Sequence, residues 1–363
     1  MLKGYGISKD QRTKEGVPCI LYGELYTTYK SEIIQDVVSR TDVQDEGLVN
    51  SKENDVIIPS SGETAADIAT ARCVLTSNVL LGGDLNIIRL RGNDGRFLCY
   101  ELNGRRRPEI AKVAQGVSVV HLYAEGLRKI QIHLPSLPEQ RKVADFLSLL
   151  DERIAVQRVL IGEMGRLMGG IAEKVYRRKD DFYGKLGDFL EQTSKRNRDG
   201  MVKNVLSVSN SVGFVKQSEQ FSERTVASDD TSGYKIVTKD DFAYNPARIN
   251  VGSIAQLTTY ECGIVSPMYI CFHVRGSLNS TFLANYFKSN VFLQEVNKRL
   301  EGSVRQCLSF ESLCEIFIPV PNIDFQNSVA DALSSLEGKM ANEKTVLQLF
   351  LKQKQYLLQK LFI

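Results

Sequence analysis

The amino-acid sequence predicts an α+β protein in which two globular α/β units are separated by two long antiparallel coiled-coil helices, with a pseudo-twofold internal repeat. Three observations predict this class. Two stretches carry apolar residues at coiled-coil spacing, the two stretches are alike in sequence, and each follows a region of short β-prone runs. The chain is therefore predicted to contain twice the same arrangement, a globular region followed by a long helix.

The first of the two stretches begins after Pro138. Its apolar residues recur in steps of four and three, which makes a narrow seam typical of a helix that packs along another long helix. We predict one helix over residues 139–176, about 57 Å long at 1.5 Å per residue. The seam residues are Val143, Leu147, Leu150, Ile154, Ile161, Met164, Met168, Ile171 and Val175.

The second stretch, residues 316–363, repeats the first at an offset of 186 residues. When residues 127–154 are aligned without gaps on residues 313–340, 11 of the 28 positions are identical, where chance gives about two. This similarity indicates an internal duplication. The second seam consists of Val329, Leu333, Leu336, Met340, Leu347, Phe350, Leu357 and Leu361.

Both seams contain a polar residue where an apolar one is expected, Gln157 in the first copy and Glu343 at the same offset in the second. A polar group at such a position can fix the register of two helices at some cost in stability. The alternative is that both side chains extend out of the seam into water.

Two globular regions precede the two helical stretches. In the first, β-prone runs at 17–22, 55–58, 85–90 and 117–122 alternate with Gly, Ser, Asn and Asp clusters. Runs at 202–208, 241–244, 269–274 and 316–318 repeat this layout in the second. We expect an irregular α/β or mostly β domain in each case, with function on the exposed loops.

Composition and charge are ordinary for a globular protein. With 43% hydrophobic and 25% charged residues the chain can form a sizeable core, and no apolar run is long enough to cross a membrane. The seven cysteines form no C-x-x-C pair, which favours reduced core residues and a cytoplasmic location. A net charge of +3 does not by itself indicate nucleic-acid binding.

No catalytic motif is present in the sequence. It lacks a phosphate-binding loop and an H-E-x-x-H metal motif, and its three histidines, His121, His133 and His273, lie in apolar strand-like settings typical of structural residues. The sequence Asn245-Pro246-Ala247 lacks the second proline and the aromatic residue of the Asn-Pro-Pro-Tyr signature of amino-methyltransferases. We therefore expect a recognition or scaffold protein with no metal site of its own.

The two duplicated helical stretches contain one distinctive motif each. These are LPSLPEQRKVADFLSLLDERI at residues 134–154 and LLQKLF at residues 357–362. With them, the chain closely resembles the specificity subunits of type I restriction-modification systems over essentially its whole length. The resemblance implies target recognition domains at residues 1–126 and 184–312, and conserved regions carrying the long helices at residues 127–177 and 313–363.

The resemblance also implies the partners. Each recognition domain would bind one half of a split double-stranded DNA target, and the helices would dock two modification (N6-adenine methyltransferase) subunits. Restriction subunits would join the complex and cleave DNA. S-adenosylmethionine, ATP and Mg²⁺ are expected on these partner subunits, with no cofactor, metal or catalytic residue on this chain and no membrane partner.

Candidate DNA-binding residues are polar, basic or tyrosine side chains in turn-rich loops, whose groups suit base edges and phosphates. A basic run is as often a solvated face, and a tyrosine is more often half-buried packing. The candidates are Tyr22, Tyr26, Lys30, Ser60, Ser61, Arg105, Arg106, Ser209, Asn245, Arg248, Asn250, Ser303, Arg305 and Gln306. The candidate partner-docking residues on the helices are Gln140, Val143, Leu147, Leu150, Ile154, Gln326, Val329, Leu333, Leu336 and Met340.

The sequence departs from the family pattern in two places. By the offset of 186 residues, the first-copy equivalent of the lead segment Lys185-Leu186-Gly187-Asp188 would fall at or before Met1, so we expect no such segment ahead of the first recognition domain. In the second copy, Asp324-Phe325 replaces the usual Pro-Glu, which weakens the signal for the start of a helix.

Two other classes of function compete with DNA recognition. A stand-alone nuclease or DNA methyltransferase with an unrecognised site would turn over DNA without partners. A coiled-coil adaptor that binds only proteins would show no preference among DNA sequences.

Overall fold

The computed structural model describes residues 1–116, 118–178, 182–210, 212–217, 230–302 and 306–362. The chain divides into two compact units. Unit 1 consists of Met1–Val159 with Glu343–Ile363, and unit 2 consists of Leu160–Asn342. The division falls inside both long helices, so that each helix contributes one part to each unit. Two mixed α/β units and two long helices confirm the predicted fold class.

Unit 1 contains short strands in three sheets. Two sheets have five strands, in the orders β1-β11-β7-β9-β4 and β2-β5-β3-β10-β6, and a third pairs β8 with β12. In chain order the strands are β1 (Leu2–Lys3), β2 (Arg12–Thr13), β3 (Val17–Ile20), β4 (Ile33–Ile34), β5 (Ser39–Thr41), β6 (Val49–Asn50), β7 (Asp55–Pro59), β8 (Ser61–Gly62), β9 (Arg72–Val74), β10 (Leu80–Leu81), β11 (Leu85–Ile88) and β12 (Val120–His121).

The central strand β7 shows why these runs form a core. All of its residues are buried, as expected for an apolar run covered on both faces. The one carboxylate in it, Asp55, is compensated by a two-pronged contact from Arg89, whose nitrogens lie 2.9 and 2.7 Å from its oxygens. The helices around this core are α1 (Glu24–Thr27), α2 (Ala65–Ile68), α3 (Gly95–Asn103), α4 (Arg107–Val113) and α5 (Ala124–Arg128).

Unit 2 has a four-stranded sheet, in the order β14-β21-β18-β19, and three strand pairs, β13–β22, β15–β16 and β17–β20. Its strands are β13 (Tyr183–Lys185), β14 (Leu190–Thr193), β15 (Leu206–Ser209), β16 (Gly213–Lys216), β17 (Lys235–Thr238), β18 (Phe242–Tyr244), β19 (Ile254–Gln256), β20 (Cys262–Val265), β21 (Ile270–Val274) and β22 (Phe317–Pro319). An aromatic cluster that includes Phe242, Phe272 and Phe287 forms much of its core.

The two long helices are α6 (Leu137–Tyr176) and α10 (Ile323–Lys360), close to the predicted bounds. Between them in the chain lie α7 (Ser280–Phe287), α8 (Asn290–Asn297) and α9 (Phe310–Cys314), and single turns of 3-10 helix occur at Lys9–Gln11, Leu186–Asp188 and Ile249–Val251. At the start of α6, Ser136 bonds the carboxylate of Glu139. At the start of α10, Asn322 accepts a hydrogen bond from the amide of Phe325, so a side-chain cap is present despite the changed motif.

Within unit 1 the two long helices run antiparallel, since residue numbers fall along α10 as they rise along α6. Asp151 pairs with Lys354, Arg153 lies over the ring of Phe350, and Gln157 meets Glu343. The Gln157 amide donates to the backbone oxygen of Glu343 at 3.0 Å and to its carboxylate at 2.5 Å. The two polar seam residues therefore contact one another, and Gln157 is buried rather than extended into water.

The last part of α10 belongs to the core of unit 1. Leu358 and Phe362 pack with Phe97, Tyr100 and Leu147. Gly104 permits this approach, because a Cβ atom there would lie 2.3 Å from the backbone oxygen of Leu358.

A buried ion cluster joins the same part of α10 to unit 1. Lys354 pairs with both Glu32 and Asp151, and the hydroxyl of Tyr100 donates to Asp151 at 2.8 Å. The cluster contains two acids and one lysine in a site almost closed to water. Lys354 is therefore essential for compensating the negative charge of the two acids.

Candidate functional site

A cleft of about 800 Å³, lined by both polar and apolar side chains, lies in unit 2. Hydrogen-bonding side chains from four parts of the unit line it. These parts are the end of β15, the loop between β18 and β19 with the residues after β19, one face of α7 with the residues that follow, and α10 through Ser334 and Glu337. These side chains include Ser209, Asn210, Asn250, Gln256, Thr258, Thr259, Thr281, Asn285, Lys288 and Ser289. The cleft therefore offers many donors and acceptors with little net charge.

The loop that carries Asn250 is shaped by local hydrogen bonds. Asn245 accepts a bond from the amide of Ala247 at 3.1 Å, which closes a turn and leads into the 3-10 helix Ile249–Val251. Gly252 ends this helix at a φ of +90°, a left-handed conformation that favours glycine. As a result Ile249 points into the core, while Arg248 is exposed and Asn250 is half-buried.

The predicted residues of unit 2 are partly brought together. Ser209 and Asn250 both line the cleft, whereas Asn245 and Arg248 flank it in the same loop. Among the described residues, the side chains of Arg248 and Asn250 form no hydrogen bond or ion pair. Gln306 is exposed, and Ser303 and Arg305 lie outside the described residues.

Sequence reasoning missed Asn285, which also lines the cleft. This residue is buried, and its Nδ2 has no hydrogen-bond partner. A buried donor without a partner is costly unless a ligand or water supplies an acceptor. The signal in the sequence is a single amide in the otherwise apolar run FLANYF of α7.

In unit 1 the predicted residues are dispersed. Tyr26 lines a groove of about 640 Å³ with Asp67, Arg72 and Arg107, and burial raises the pKa of the Tyr26 hydroxyl, which keeps it neutral. Tyr22 packs against the core, and Lys30 donates to the backbone oxygen of Thr27.

The two predicted serines of unit 1 are engaged in local bonds. Ser60 donates its amide to the oxygen of Asp84 at 2.7 Å, and its hydroxyl lies 3.5 Å from the Asp84 carboxylate. Ser61 is buried, and its hydroxyl lies 3.3 Å from Nδ1 of His121. Neither serine lines the groove.

The arginine run has structural contacts. Arg105 donates to the backbone oxygen of Phe362 at 3.1 Å, and Arg106 forms ion pairs with Glu101 and Glu109. These bonds tie α3, α4 and the end of α10 together. The structure therefore gives both side chains a role within unit 1, and a contact with DNA stays a prediction for them.

The candidate docking residues are mostly turned into the chain's own units. Gln140, Leu147, Leu150, Ile154, Gln326, Val329 and Leu333 are buried, and Val143, Leu336 and Met340 are partly buried. A different face of α6 is open in unit 1, where Phe146, Leu149 and Val156 are exposed at intervals of three and seven residues. That these helices dock a partner stays a prediction, and the exposed face is the one available for it.

Among the residues that the structure describes, no group of three or more His, Cys, Asp or Glu side chains is placed to hold a metal ion. In the same described ranges, none of the helices has the length and apolar character needed to cross a membrane. All seven cysteines are free thiols.

Solved structures share this fold. The type I restriction-modification S subunit from M. genitalium is 18% identical, with a TM-score of 0.63 over 100% of this chain and 93% of that one. A chain from a structure concerned with complex assembly and conformational transition of the type I R-M system is 14% identical, with a TM-score of 0.55 over 94% of this chain and 90% of that one. The fold is thus that of type I specificity subunits.

Part of the sequence also matches a known protein family. Residues 6–163 match the family described as the type I restriction modification DNA specificity domain. This match within the first part of the chain, together with the shared fold, confirms the resemblance found in the motifs.

Proposed function

We propose that this chain is the sequence-specific DNA-recognition subunit of a type I restriction-modification complex and binds a bipartite DNA target, one half through each unit. The observation that carries the proposal is the match of residues 6–163 to a DNA specificity domain. The internal repeat supports two half-sites, since a second helix-bearing region of the same design follows a second globular region.

The chemistry of the unit 2 cleft and its rim suits base recognition. An Asn amide can bond the edge of adenine through two atoms, and an Arg guanidinium can bond guanine in the same way. Asn250 and Arg248 carry these groups without competing partners among the described residues. Arg305, which lies outside the described residues, is a further candidate of this kind.

The proposed partners are double-stranded DNA, two modification subunits that methylate adenine N6, and restriction subunits. S-adenosylmethionine, ATP and Mg²⁺ would act on those subunits, and this chain would be non-catalytic. The exposed face of α6 supports a docking role, because side chains such as Val156, 68% exposed, lie in a helical stripe rather than singly.

The function is tested by exchanging residues 185–311 for the matching region of a relative and mapping N6-methyladenine in cells that hold the modification subunits. We expect one half of the methylated sequence to change and the other half to stay the same. A change in both halves would show that the two units are not independent. Turnover of DNA by the purified chain alone would favour a stand-alone enzyme, and binding without sequence preference in the full complex would favour an adaptor.

Asn250→Ala is expected to weaken specific binding by about 1–3 kcal/mol and to relax the preference at one base pair, since a two-atom contact with adenine would be lost. Binding to target duplexes with each base substituted in turn measures both effects. Asn297→Ala is the control, because Asn297 is an exposed asparagine of the same unit outside the cleft. A uniform loss on all sequences with a shallower salt dependence would indicate a phosphate contact instead.

Val156→Glu is expected to weaken assembly with the modification subunits by about tenfold or more, because an unpaired charge is costly in an apolar interface. Pull-down or analytical ultracentrifugation of the mixed subunits measures it. Ala155→Glu adds the same charge one residue away, on an exposed face that does not belong to the apolar stripe. Equal assembly by both variants would show that the partner binds elsewhere.

A further inference from the structure

A glutamine in the first turn of α10 is fully enclosed and uses both ends of its amide. Gln326 is 0% exposed. Its Oε1 accepts a hydrogen bond from the backbone amide of Asn279 at 2.8 Å, and its Nε2 donates to the backbone oxygens of Pro321 at 2.8 Å and Ser277 at 3.1 Å. Both of its donors and its acceptor are therefore engaged.

The equivalent residue of the first copy forms the same type of contact. Gln140 is 1% exposed. Its Oε1 accepts from the backbone amide of Asp94 at 2.9 Å, and its Nε2 donates to the oxygen of Pro135 and to Oδ1 of Asn93, both at 2.8 Å. Both copies thus keep one buried amide that accepts from the backbone amide of a residue before a helix and donates to a proline oxygen and to one further oxygen.

The groups that the two amides bind have a defined place in each unit. Asp94 is the N-cap residue of α3, and Asn279 is the N-cap residue of α7. Each glutamine therefore ties the start of a globular-domain helix to the start of a long helix. In unit 2 the tied helix also carries Thr281 and Asn285, which line the cleft.

A planar amide held by three hydrogen bonds allows little rotation, because any tilt of one helix start against the other lengthens a bond in a site closed to water. We infer that Gln140 and Gln326 are positioning residues that hold each DNA-reading unit at a fixed angle on its long helix, and so set how strictly the complex selects the number of unread base pairs between the half-sites. This inference rests on the proposed bipartite DNA recognition. It assigns the two glutamines a role inside the subunit, distinct from partner docking.

Gln326→Glu provides the sharpest test. The introduced carboxylate can still accept from the amide of Asn279, but it faces the oxygens of Pro321 and Ser277, to which it cannot donate until it is protonated. We expect the ratio of affinities for the preferred spacer and for a spacer one base pair longer to fall by about tenfold at pH 8. At pH 5.5 protonation restores one donor, so the ratio is expected to recover in part, while the unsubstituted chain keeps its ratio at both pH values.

The measurement uses the complex with modification subunits and a set of duplexes that differ only in spacer length. Asn327→Ala is the control, because Asn327 accepts an exposed bond from the side chain of Asn279 and lies next to the buried amide. Should the carboxylate variant fail to fold, Gln326→Met removes all three bonds at similar volume without a buried charge, and it is expected to lower the ratio at both pH values.

An unchanged spacer ratio in a folded variant, with only overall affinity reduced, would overturn the inference and leave Gln326 a purely structural residue. Failure of the proposed function is distinguishable, since the unsubstituted complex would then show no sequence-specific binding to any duplex.

Discussion

Lys354→Met is expected to lower the free energy of unfolding of unit 1 by about 3–5 kcal/mol at neutral pH, because it removes the lysine that pairs with two largely enclosed acids and leaves Arg72 as a remaining nearby cation. In the unsubstituted chain burial opposes the charge on Glu32, but attraction to Lys354, the hydrogen bond with it, attraction to Arg72 and a backbone hydrogen bond together lower the pKa of Glu32. Burial and the nearby charge of Glu32 raise the pKa of Asp151.

The loss of stability of unit 1 in the Lys354→Met variant is expected to depend on pH. Without the lysine, both carboxyls are expected to have pKa values above those in the unfolded chain. In the pH window between the unfolded and folded pKa values, the folded state therefore binds more protons than the unfolded state. Stability then falls as pH rises through the window. The loss should therefore be larger at pH 8 than at pH 5.

Chemical denaturation of the full chain at several pH values measures both effects. Lys352→Met is the control, since Lys352 is an exposed lysine of the same helix. Equal and small losses in the two variants would mean that the ion cluster does not contribute to unit 1.

Phe362→Ala is expected to destabilise unit 1 by about 3–5 kcal/mol, the range for deleting a buried phenylalanine side chain. Phe362 is 2% exposed, and its ring meets that of Phe97 edge to face with centroids 5.1 Å apart. Leu361→Ala is a neighbouring control, since Leu361 is 37% exposed.

Hydrogen exchange locates the effect of Phe362→Ala. Protection should fall in α3 and in the strands of unit 1, while β18 and β21 of unit 2 keep theirs. Loss of protection in both units at once would show that the two units unfold together, against their division at residues 159 and 342.

The long helices were predictable because their signal is local. Steps of four and three residues place Leu147, Leu150 and Ile154 on one face of a helix whatever covers that face, and all three are buried. The sequence also shows that Gln157 and Glu343 are polar residues at equivalent positions of the two seams. That they bond one another depends on how the two helices meet, which the heptad pattern alone does not determine.

The sites were less predictable because their partners are distant in sequence. Arg105 lies in a basic run, but the backbone oxygen that it binds belongs to Phe362, 257 residues away in the sequence. Asn285 gave a weak signal, since one amide in an apolar helix is common. The resemblance places Gln140 and Gln326 among the candidate docking residues, yet their bonds lie with the caps of nearby helices.

The placement of residues 343–362 in unit 1 has a consequence for synthesis. A ribosome that makes 5–20 residues per second completes unit 2 during the roughly ten to forty seconds that separate the two parts of unit 1. During that interval Phe97 and Tyr100 lack Leu358 and Phe362, and Glu32 and Asp151 lack Lys354. Until α10 emerges, the nascent first unit thus has an uncovered apolar surface and two acids that lack their lysine, so binding of a chaperone would be needed most in that interval.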